Sequence, residues 1–370
     1  MVAAATVVVA VGSVAGVLSA LDDGRAGDEA RPEATRSPRL EQLPVVPSPS
    51  AAEASPSLSA SRTASPTPSA TRTAKRRAPA APATRLYRHP DSQVLDWVRA
   101  HPGDPRTPVI ASRIADRPAA VWFADFTPST IASRVRAVTS GAAAQGRVPV
   151  VVAYAIPGRD CGGASEGGAP DLAAYDGWID SFAAGLGSGE VVVILEPDAI
   201  AQSDCLSADE RARRFASLAR AGRVMKAADP KARVYYDAGH SDWNPAAQQA
   251  SLLRQAGAAT PASSDGVFSN VSNFNATSEE IAYDRRVLAA LGGPASLGAV
   301  VDTSRNGNGA PADGAWCDPG GRRIGRAPTL STGEARIDGY LWVKPPGESD
   351  GCKGSPGTFS PSYAYELASS

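Results

Sequence analysis

A short apolar strand that ends in two carboxylates most constrains how this chain can fold. Residues 191–195 read VVVIL, and the run stops at Glu196, Pro197 and Asp198. A short run rich in β-branched residues is typical of a strand buried on both faces, as in a parallel sheet. Pro197 cannot donate to a strand ladder, so the strand must end there. The carboxylates therefore follow the carboxyl end of a strand, where βα folds build active sites, although Asp198 could also simply cap the next segment.

The rest of the folded part, from about Tyr87 onward, repeats this strand-and-helix pattern. Apolar runs predict strands at 122–125, 148–154, 191–195, 234–236, 267–271, 297–301 and 337–343. Capping boxes are predicted at Ser207 with Glu210 and at Thr277 with Glu280. About seven strands that alternate with helices imply right-handed βαβ units and a parallel sheet.

Acidic residues that follow strand after strand favour a closed barrel over an open sheet. Polar groups that converge from many strand ends suit a ring better than a single crevice. The residues concerned are Asp125, Asp160, Asp198, Asp237, Asp302 and Asp350. No GxGxxG or Walker loop follows a strand, so a nucleotide cofactor is not predicted. The favoured fold class is α/β, a TIM-like parallel barrel of about seven strands with a disordered N-terminal extension.

The N-terminal part of the chain has a different composition. Residues 2–20 are almost wholly Ala, Val, Gly and Leu, and no basic region precedes them. For residues 1–21 a signal peptide with a start site assigned too late and a signal anchor both stay open, because the run approaches the length of a membrane span. Residues 22–84 are rich in Pro, Ser, Thr and Ala, which predicts a disordered linker. We expect an exported protein whose folded domain is 85–370.

Charge and cysteine usage exclude several classes of function. A net charge of -1 does not indicate a nucleic-acid partner. The four cysteines form no CxxC pair and no histidine pair has ligand spacing, so no metal or redox cofactor is predicted. An even number of cysteines in an exported chain suggests two disulfides. We favour Cys161–Cys205, which follow neighbouring strands, and Cys317–Cys352, which flank the last strand, over the other connectivities.

Aromatic side chains near strand ends are the remaining chemical feature. A serine protease-like triad has no GxSxG elbow to support it. The aromatic residues near strand ends are Trp122, Tyr154, Trp243 and Trp316. Tryptophan rings that face a cleft can stack on sugar rings, whereas any single one could equally be a core or rim residue. The four together, beside carboxylates, indicate a carbohydrate-binding cleft.

Several stretches resemble glycoside hydrolase family 6, the cellulases. YAIPGRDCG from Tyr154 is similar to the first family signature, and VILEPDAI from Val193 is similar to the second. Supporting stretches are YDAGH from Tyr236, DTSRNGNG from Asp302, WCD from Trp316, WVKPPGESDGC from Trp342 and YE from Tyr365. The resemblance covers roughly residues 87–367. It implies a distorted barrel of about seven parallel strands and hydrolysis of β-1,4-glucosidic bonds with inversion at the anomeric carbon.

The resemblance also implies roles for individual residues. Asp198 matches the general acid, Asp160 the carboxylate that raises the acid's pKa and organises water, and Asp350 the candidate base. Tyr154 matches a residue that crowds the distorted sugar, and Arg159 a cation that partners the acidic cluster. Implied sugar-binding residues are Trp122, Trp316, Lys344 and Glu348 on the glycone side and His240 and Trp243 on the aglycone side.

The implied carboxylate set has a physical reason and one departure. Crowded carboxylates raise one pKa because like charges disfavour a second ionisation. Inversion needs roughly 6.5–9.5 Å between acid and base, and carboxylates on different strand ends can be spaced that way. The family usually has two small residues before the glycines that follow Cys161, and here Glu166 occupies the second. Glu166 would crowd the nucleophilic water or add a carboxylate to it, which affects rate and pH optimum.

Three functions stay open at this point. The first is an inverting endo-β-1,4-glucanase, and the second is a cellobiohydrolase, which in this family roofs its cleft with two long loops. The spans after Asp237 and between Cys317 and Cys352 are short, which favours the endo type. The third is a non-catalytic glucan-binding surface protein, and the three intact aspartates argue against it. We expect a monomer, secreted or tethered to the membrane, whose partner is a β-1,4-glucan.

Overall fold

The computed structural model describes residues 85–369 of the 370-residue chain. The predicted signal segment, 1–21, and the predicted linker, 22–84, lie outside the described residues. Within residues 85–369, no helix is both long enough and apolar enough to cross a bilayer.

Seven parallel strands form one sheet, and each strand pairs with the next one along the chain. They are β1 (Val121–Phe123), β2 (Val150–Ala153), β3 (Val191–Leu195), β4 (Ala232–Asp237), β5 (Gly266–Ser269), β6 (Gly298–Asp302) and β7 (Ile337–Leu341). The main helices are α1 (Gln93–Ala100), α2 (Thr107–Ile110), α3 (Ile131–Ala144), α4 (Leu172–Ala184), α5 (Ala208–Ala228), α6 (Ala246–Gln255), α7 (Thr277–Leu291) and α8 (Pro361–Ser369). All seven predicted strands are present, so the expected parallel α/β barrel is confirmed; the predicted disordered N-terminal extension lies outside the described residues.

The sheet curls into a barrel that is distorted where its first and last strands meet. No ladder joins β1 to β7 within the described residues; single hydrogen bonds do so instead. The N–H of Ala120 donates to the carbonyl of Trp342 over 2.9 Å. The indole Nε1 of Trp122 donates to the carbonyl of Val343 over 2.7 Å. This opening leaves room for a cleft at the carboxyl ends of the strands.

Strand β3 is buried on both faces, as its composition predicts. Val191, Val193 and Leu195 pack in the apolar layer between the sheet and the helices. Val192 and Ile194 point the other way, into the barrel interior. This alternation is the period of two expected of a strand, with apolar residues required at every position because both faces are covered.

The predicted covalent links and one of the two predicted helix caps are confirmed. The disulfides are Cys161–Cys205 and Cys317–Cys352, with Cα atoms 6.1 and 5.7 Å apart. Ser207 and Glu210 form the capping box of α5.

The capping box predicted at Thr277 with Glu280 is wrong. The cap residue of α7 is Ala276, whose N–H donates to the Glu279 carboxylate over 3.1 Å. The Thr277 hydroxyl instead accepts a hydrogen bond from Asn306, and the buried Glu280 carboxylate accepts from the N–H of Ser241 over 2.9 Å. Two adjacent glutamates made both registers possible, and tertiary contacts decided between them.

Candidate active site

A cleft of about 1290 Å³ crosses the carboxyl ends of the strands. Every site residue predicted from the sequence lines it: Trp122, Tyr154, Arg159, Asp160, Asp198, His240, Trp243, Trp316, Lys344, Glu348 and Asp350. Glu166 lines it too. Among residues 85–369, no group of three or more His, Cys, Asp or Glu side chains could hold a metal ion.

Asp198 lies at the floor of the cleft, on a tight turn after β3. Its backbone is left-handed, with a φ of 69°. The Asp237 carboxylate, at the end of β4, accepts hydrogen bonds from the N–H groups of Ile200 at 3.1 Å and Ala201 at 2.8 Å. It also accepts one from Gly239 at 2.9 Å. Asp237 therefore holds the turn that carries Asp198, a role that its position at a strand end does not reveal.

The electrostatic surroundings of Asp198 favour its protonated form. Burial raises its pKa well above the ordinary value, and the negative charges of Asp237 and Asp160 raise it further. Burial likewise raises the pKa of Asp237, although its backbone hydrogen bonds oppose that rise. A carboxyl group that keeps its proton near neutral pH can serve as a general acid.

Asp160 is oriented by Ser165, a residue that the sequence reasoning did not single out. One oxygen of Asp160 accepts hydrogen bonds from the N–H of Ser165 at 2.8 Å and from its hydroxyl at 2.9 Å. The same hydroxyl lies 2.9 Å from the Tyr154 hydroxyl. Ser165 thus supplies the small polar contact in this loop, and the side chain of the next residue, Glu166, is exposed.

Arg159 lies beneath this group and contacts main-chain carbonyls. Its guanidinium donates to the carbonyl of Ala124 at 2.7 Å, to that of Ser165 at 2.8 Å, and to that of Tyr154. It also stacks 4.3 Å from the centre of the Tyr154 ring. The resemblance implies a cation that partners the acidic cluster; here Arg159 reaches that cluster through the loop backbone and Tyr154.

Asp350 lies on the opposite wall and contacts two cations. Its Oδ2 lies 2.7 Å from Nη1 of the buried Arg305, and its Oδ1 lies 3.1 Å from Nζ of Lys344. Asp318 supports this arrangement by accepting the N–H of Asp350 at 2.8 Å. Burial alone would raise the pKa of Asp318, but hydrogen bonds from the Ser349 hydroxyl and several N–H groups lower it overall.

The part of the cleft around Trp122 joins aromatic rings to charged groups. The Trp122 ring packs edge-on against Tyr154, with ring centres 5.3 Å apart. Burial raises the pKa of Glu348 to about 7, against the opposing effects of Lys344 and a hydrogen bond from Gln93. That bond runs from the Gln93 amide to Glu348 over 2.9 Å.

The remaining predicted aromatic residues that line the cleft are His240, Trp243 and Trp316. His240 and Trp243 have ring centres 5.3 Å apart, and burial lowers the pKa of His240. Trp316 is 58% exposed, the most open of the cleft tryptophans. Aromatic rings therefore line several parts of the cleft.

Comparison with known proteins identifies what this geometry resembles. Residues 82–367 match the family described as glycosyl hydrolases family 6. Endoglucanase 1 of Streptomyces sp. (strain KSM-9) is 53% identical over 290 residues, which is 78% of this chain and 79% of that protein. Endoglucanase A of Thermobispora bispora is 51% identical over 284 residues, 76% of this chain and 61% of that protein.

A solved structure extends the likeness to the fold. The endoglucanase Cel6 from Mycobacterium tuberculosis, solved in complex with methyl-cellobiosyl-4-deoxy-4-thio-β-D-cellobioside, superposes with a TM-score of 0.71. It is 39% identical, and the match covers 78% of this chain and 97% of that one.

Proposed function

The chain belongs to glycosyl hydrolases family 6 and is a cellulase of the endoglucanase branch, and we propose that it cleaves internal β-1,4-glucosidic bonds with inversion, using Asp198 as the general acid. The observation that carries the proposal is the environment of Asp198. It lies in an open cleft between aromatic walls, and burial and neighbouring carboxylates raise its pKa. That combination provides a proton donor beside a bound sugar chain.

The proposed reaction begins with proton transfer from Asp198 to the glycosidic oxygen. As that bond breaks, a water molecule attacks the anomeric carbon from the opposite face of the sugar ring. Asp160, oriented by Ser165, would organise this water. Tyr154 would crowd the distorted sugar. Asp350, held by Arg305 and Lys344, is the candidate base that receives the water's proton.

Substrate binding would use both sides of the cleft. Trp122, Lys344 and Glu348 would contact sugars on the glycone side, with Trp316 at the rim. His240 and Trp243 would form the aglycone side. Because the spans after Asp237 and between Cys317 and Cys352 are short, we expect no long loops to roof the cleft, so a glucan could enter away from its ends, which supports endo action over cellobiohydrolase action.

The mode of cleavage can be tested on soluble carboxymethylcellulose. An endoglucanase should lower the viscosity steeply for each reducing end that it releases, whereas a cellobiohydrolase should release cellobiose with little change in viscosity. Asp198→Asn serves as the matched inactive control. Cellobiose as the dominant early product, at nearly constant viscosity, would contradict endo action.

We also propose that 85–370 is the catalytic domain of an exported monomer, joined by a linker at 22–84 to a signal or anchor segment at 1–21. The composition of those segments and the two disulfides support export. Expression with fractionation of medium and membranes, followed by N-terminal sequencing, would test it. Recovery of the intact protein only from the cytoplasm would contradict it.

A further inference from the structure

Glu196, at the end of β3, has no part in the chemistry described so far. It is fully buried, and its backbone is left-handed with a φ of 50°. Its two carboxylate oxygens accept hydrogen bonds from the N–H of Ala155 at 3.0 and 2.9 Å, and one of them also accepts from Ile156 at 3.0 Å. Glu196 therefore holds the first two residues of the segment 155–165, which we name the Asp160 loop.

Arg214, on α5, holds the next two residues of the same loop. Its side chain is buried, and Nη2 donates to the carbonyls of Pro157 at 2.8 Å and Gly158 at 3.1 Å. Within the described part of the chain, these are the hydrogen bonds that its guanidinium makes, and no carboxylate pairs with it. Burying a guanidinium is costly unless its donors are used, so this cation is committed to the loop.

The two charges have opposite signs, and consecutive peptide groups lie between them. The N–H groups at the start of the loop face the carboxylate, and the following carbonyls face the guanidinium. Burial raises the pKa of Glu196 to about 7, whereas its hydrogen bonds from Ala155 and Ile156 favour the ionised form. Hydrogen bonds to ionised groups are stronger than neutral ones, so Arg214, and Glu196 when it is ionised, fix their parts of the backbone firmly.

The Asp160 loop needs such support because its backbone is unusual. Gly158, Asp160 and Cys161 have φ angles of 58°, 57° and 48°. The left-handed region is unfavourable for residues with a side chain, and it persists only where surrounding contacts impose it. The Cys161–Cys205 disulfide ties the far end of this stretch.

We propose that Glu196 and Arg214 form a charge clamp that fixes the Asp160 loop and thereby positions Asp160 beside Asp198. Neither residue lines the cleft, so both are positioning residues. The inference rests on the catalytic role proposed above for Asp160. It predicts that losing either charge lowers turnover without removing a substrate contact.

The kinetic test compares Arg214→Met and Arg214→Lys with the control Arg220→Met on cellopentaose. Arg220 lies on the same helix and binds Asp180 at 2.8 Å, away from the loop. Because misplacing a catalytic group by about 1 Å can cost roughly 10²-fold, Arg214→Met should lower kcat about 10- to 100-fold with KM changed less than about threefold. Arg214→Lys should lose less, and the control should keep wild-type kcat.

A second measurement follows the loop itself. Amide hydrogen exchange of the peptide spanning 155–165 should be faster in Arg214→Met and in Glu196→Gln than in wild type, and unchanged in Arg220→Met. If the two charges act on one loop, their effects should not be independent. The fold-loss of kcat in the double variant Glu196→Gln/Arg214→Met should then be smaller than the product of the fold-losses in the two single variants.

The outcomes separate the clamp from the catalytic assignment. Faster loop exchange with an unchanged kcat would keep the clamp and overturn the role of Asp160. Unchanged exchange, whatever the change in KM, or fully multiplicative losses would overturn the clamp. If Arg214→Met does not fold, Glu196→Gln decides, and wild-type kcat and exchange in that variant would overturn the proposal.

Discussion

The two walls of the cleft give their carboxyl groups different neighbours: negative charges on one wall and positive charges on the other. On the wall built from β2, β3 and β4, here called the acid wall, Asp198 lies near Asp160 and Asp237. In the described residues no cation pairs with Asp198. On the wall that follows β6 and β7, Asp350 contacts Arg305 and Lys344 at 2.7 and 3.1 Å. The same residue type is thus prepared to hold a proton on one wall and is bound between cations on the other.

This difference is what a glycosidase needs from two carboxyl groups. Different environments can give two carboxyl groups different roles, and the group whose protonated form is favoured acts as the acid. Here burial and like charge favour the protonated form of Asp198, and on the opposite wall ion pairs to Arg305 and Lys344 hold Asp350 in place. Substitutions that disturb one wall at a time can therefore confirm or contradict this difference.

Removing the proton on the acid wall should have the largest effect. Asp198→Asn should lower kcat on cellopentaose roughly 10²- to 10⁴-fold, the scale of lost general acid catalysis, because an amide cannot donate an acidic proton. An aryl cellobioside with a good leaving group should be affected much less. Near wild-type turnover of cellopentaose would mean that Asp198 is not the acid.

Removing a cation on the opposite wall should have the next largest effect. Arg305→Met removes a buried cation from Asp350, which keeps only Lys344, so the free energy of unfolding should fall by about 3–5 kcal/mol in urea titrations. The matched control is Arg285→Met, which breaks an ion pair to Glu334 whose side chains are 41% and 40% exposed. That variant should lose no more than about 1 kcal/mol. Equal losses in both variants would contradict the structural role of Arg305.

A smaller change is expected from neutralising one carboxylate on the acid wall. The charge of Asp160 contributes to the raised pKa of Asp198, after burial and Asp237. Asp160→Asn should therefore lower the pKa of Asp198. As the pH rises, the residual activity of the variant should then fall at a lower pH than the activity of wild type does. The pH profile of kcat for cellopentaose measures the shift. An alkaline limb that stays in place or moves to higher pH would contradict the like-charge account.

The smallest effect is expected from a platform remote from both walls' carboxylates. Trp243→Ala should weaken binding of cellohexaose by about 1 kcal/mol, or roughly fivefold, and should weaken binding of cellotriose less. Calorimetry in the Asp198→Asn background avoids hydrolysis. If Asp198→Asn proteins with and without Trp243→Ala bound cellohexaose equally well, Trp243 would not be a substrate-binding residue.

The strands and the disulfides could be predicted because their signals are local or depend on strand order. Strand β3 reads as a continuous apolar run, and Cys161 and Cys205 follow neighbouring strands. The gap between β1 and β7 could not be predicted from periodicity, which does not distinguish a closed ring from a distorted one. The predicted cap of α7 was wrong because Glu279 and Glu280 are adjacent, so a cap at Ala276 and a cap at Thr277 each have a glutamate three residues later.

The supporting residues of the site were harder to predict than the cleft residues. Asp237 and Arg305 act on partners that are distant in sequence, such as Ile200 and Asp350. Ser165 acts on the nearby Asp160, and that contact depends on the unusual backbone of the loop. Asp237 and the exposed Asp125 have similar sequence contexts, because each lies at the end of an apolar strand. Only the folded chain shows that one of them holds the turn of Asp198.

The most direct test of the account is the stereochemistry of cleavage, because it depends on both walls at once. A water molecule placed opposite Asp198 attacks from the far face, which requires a carboxyl separation of roughly 6.5–9.5 Å, whereas a carboxylate nucleophile requires roughly 5–5.5 Å. Proton NMR of fresh cellopentaose digests can record the anomeric signals before mutarotation. We predict that the α-anomer forms first; an initial β-anomer would indicate a covalent intermediate and contradict the roles assigned to Asp160, Asp198 and Asp350.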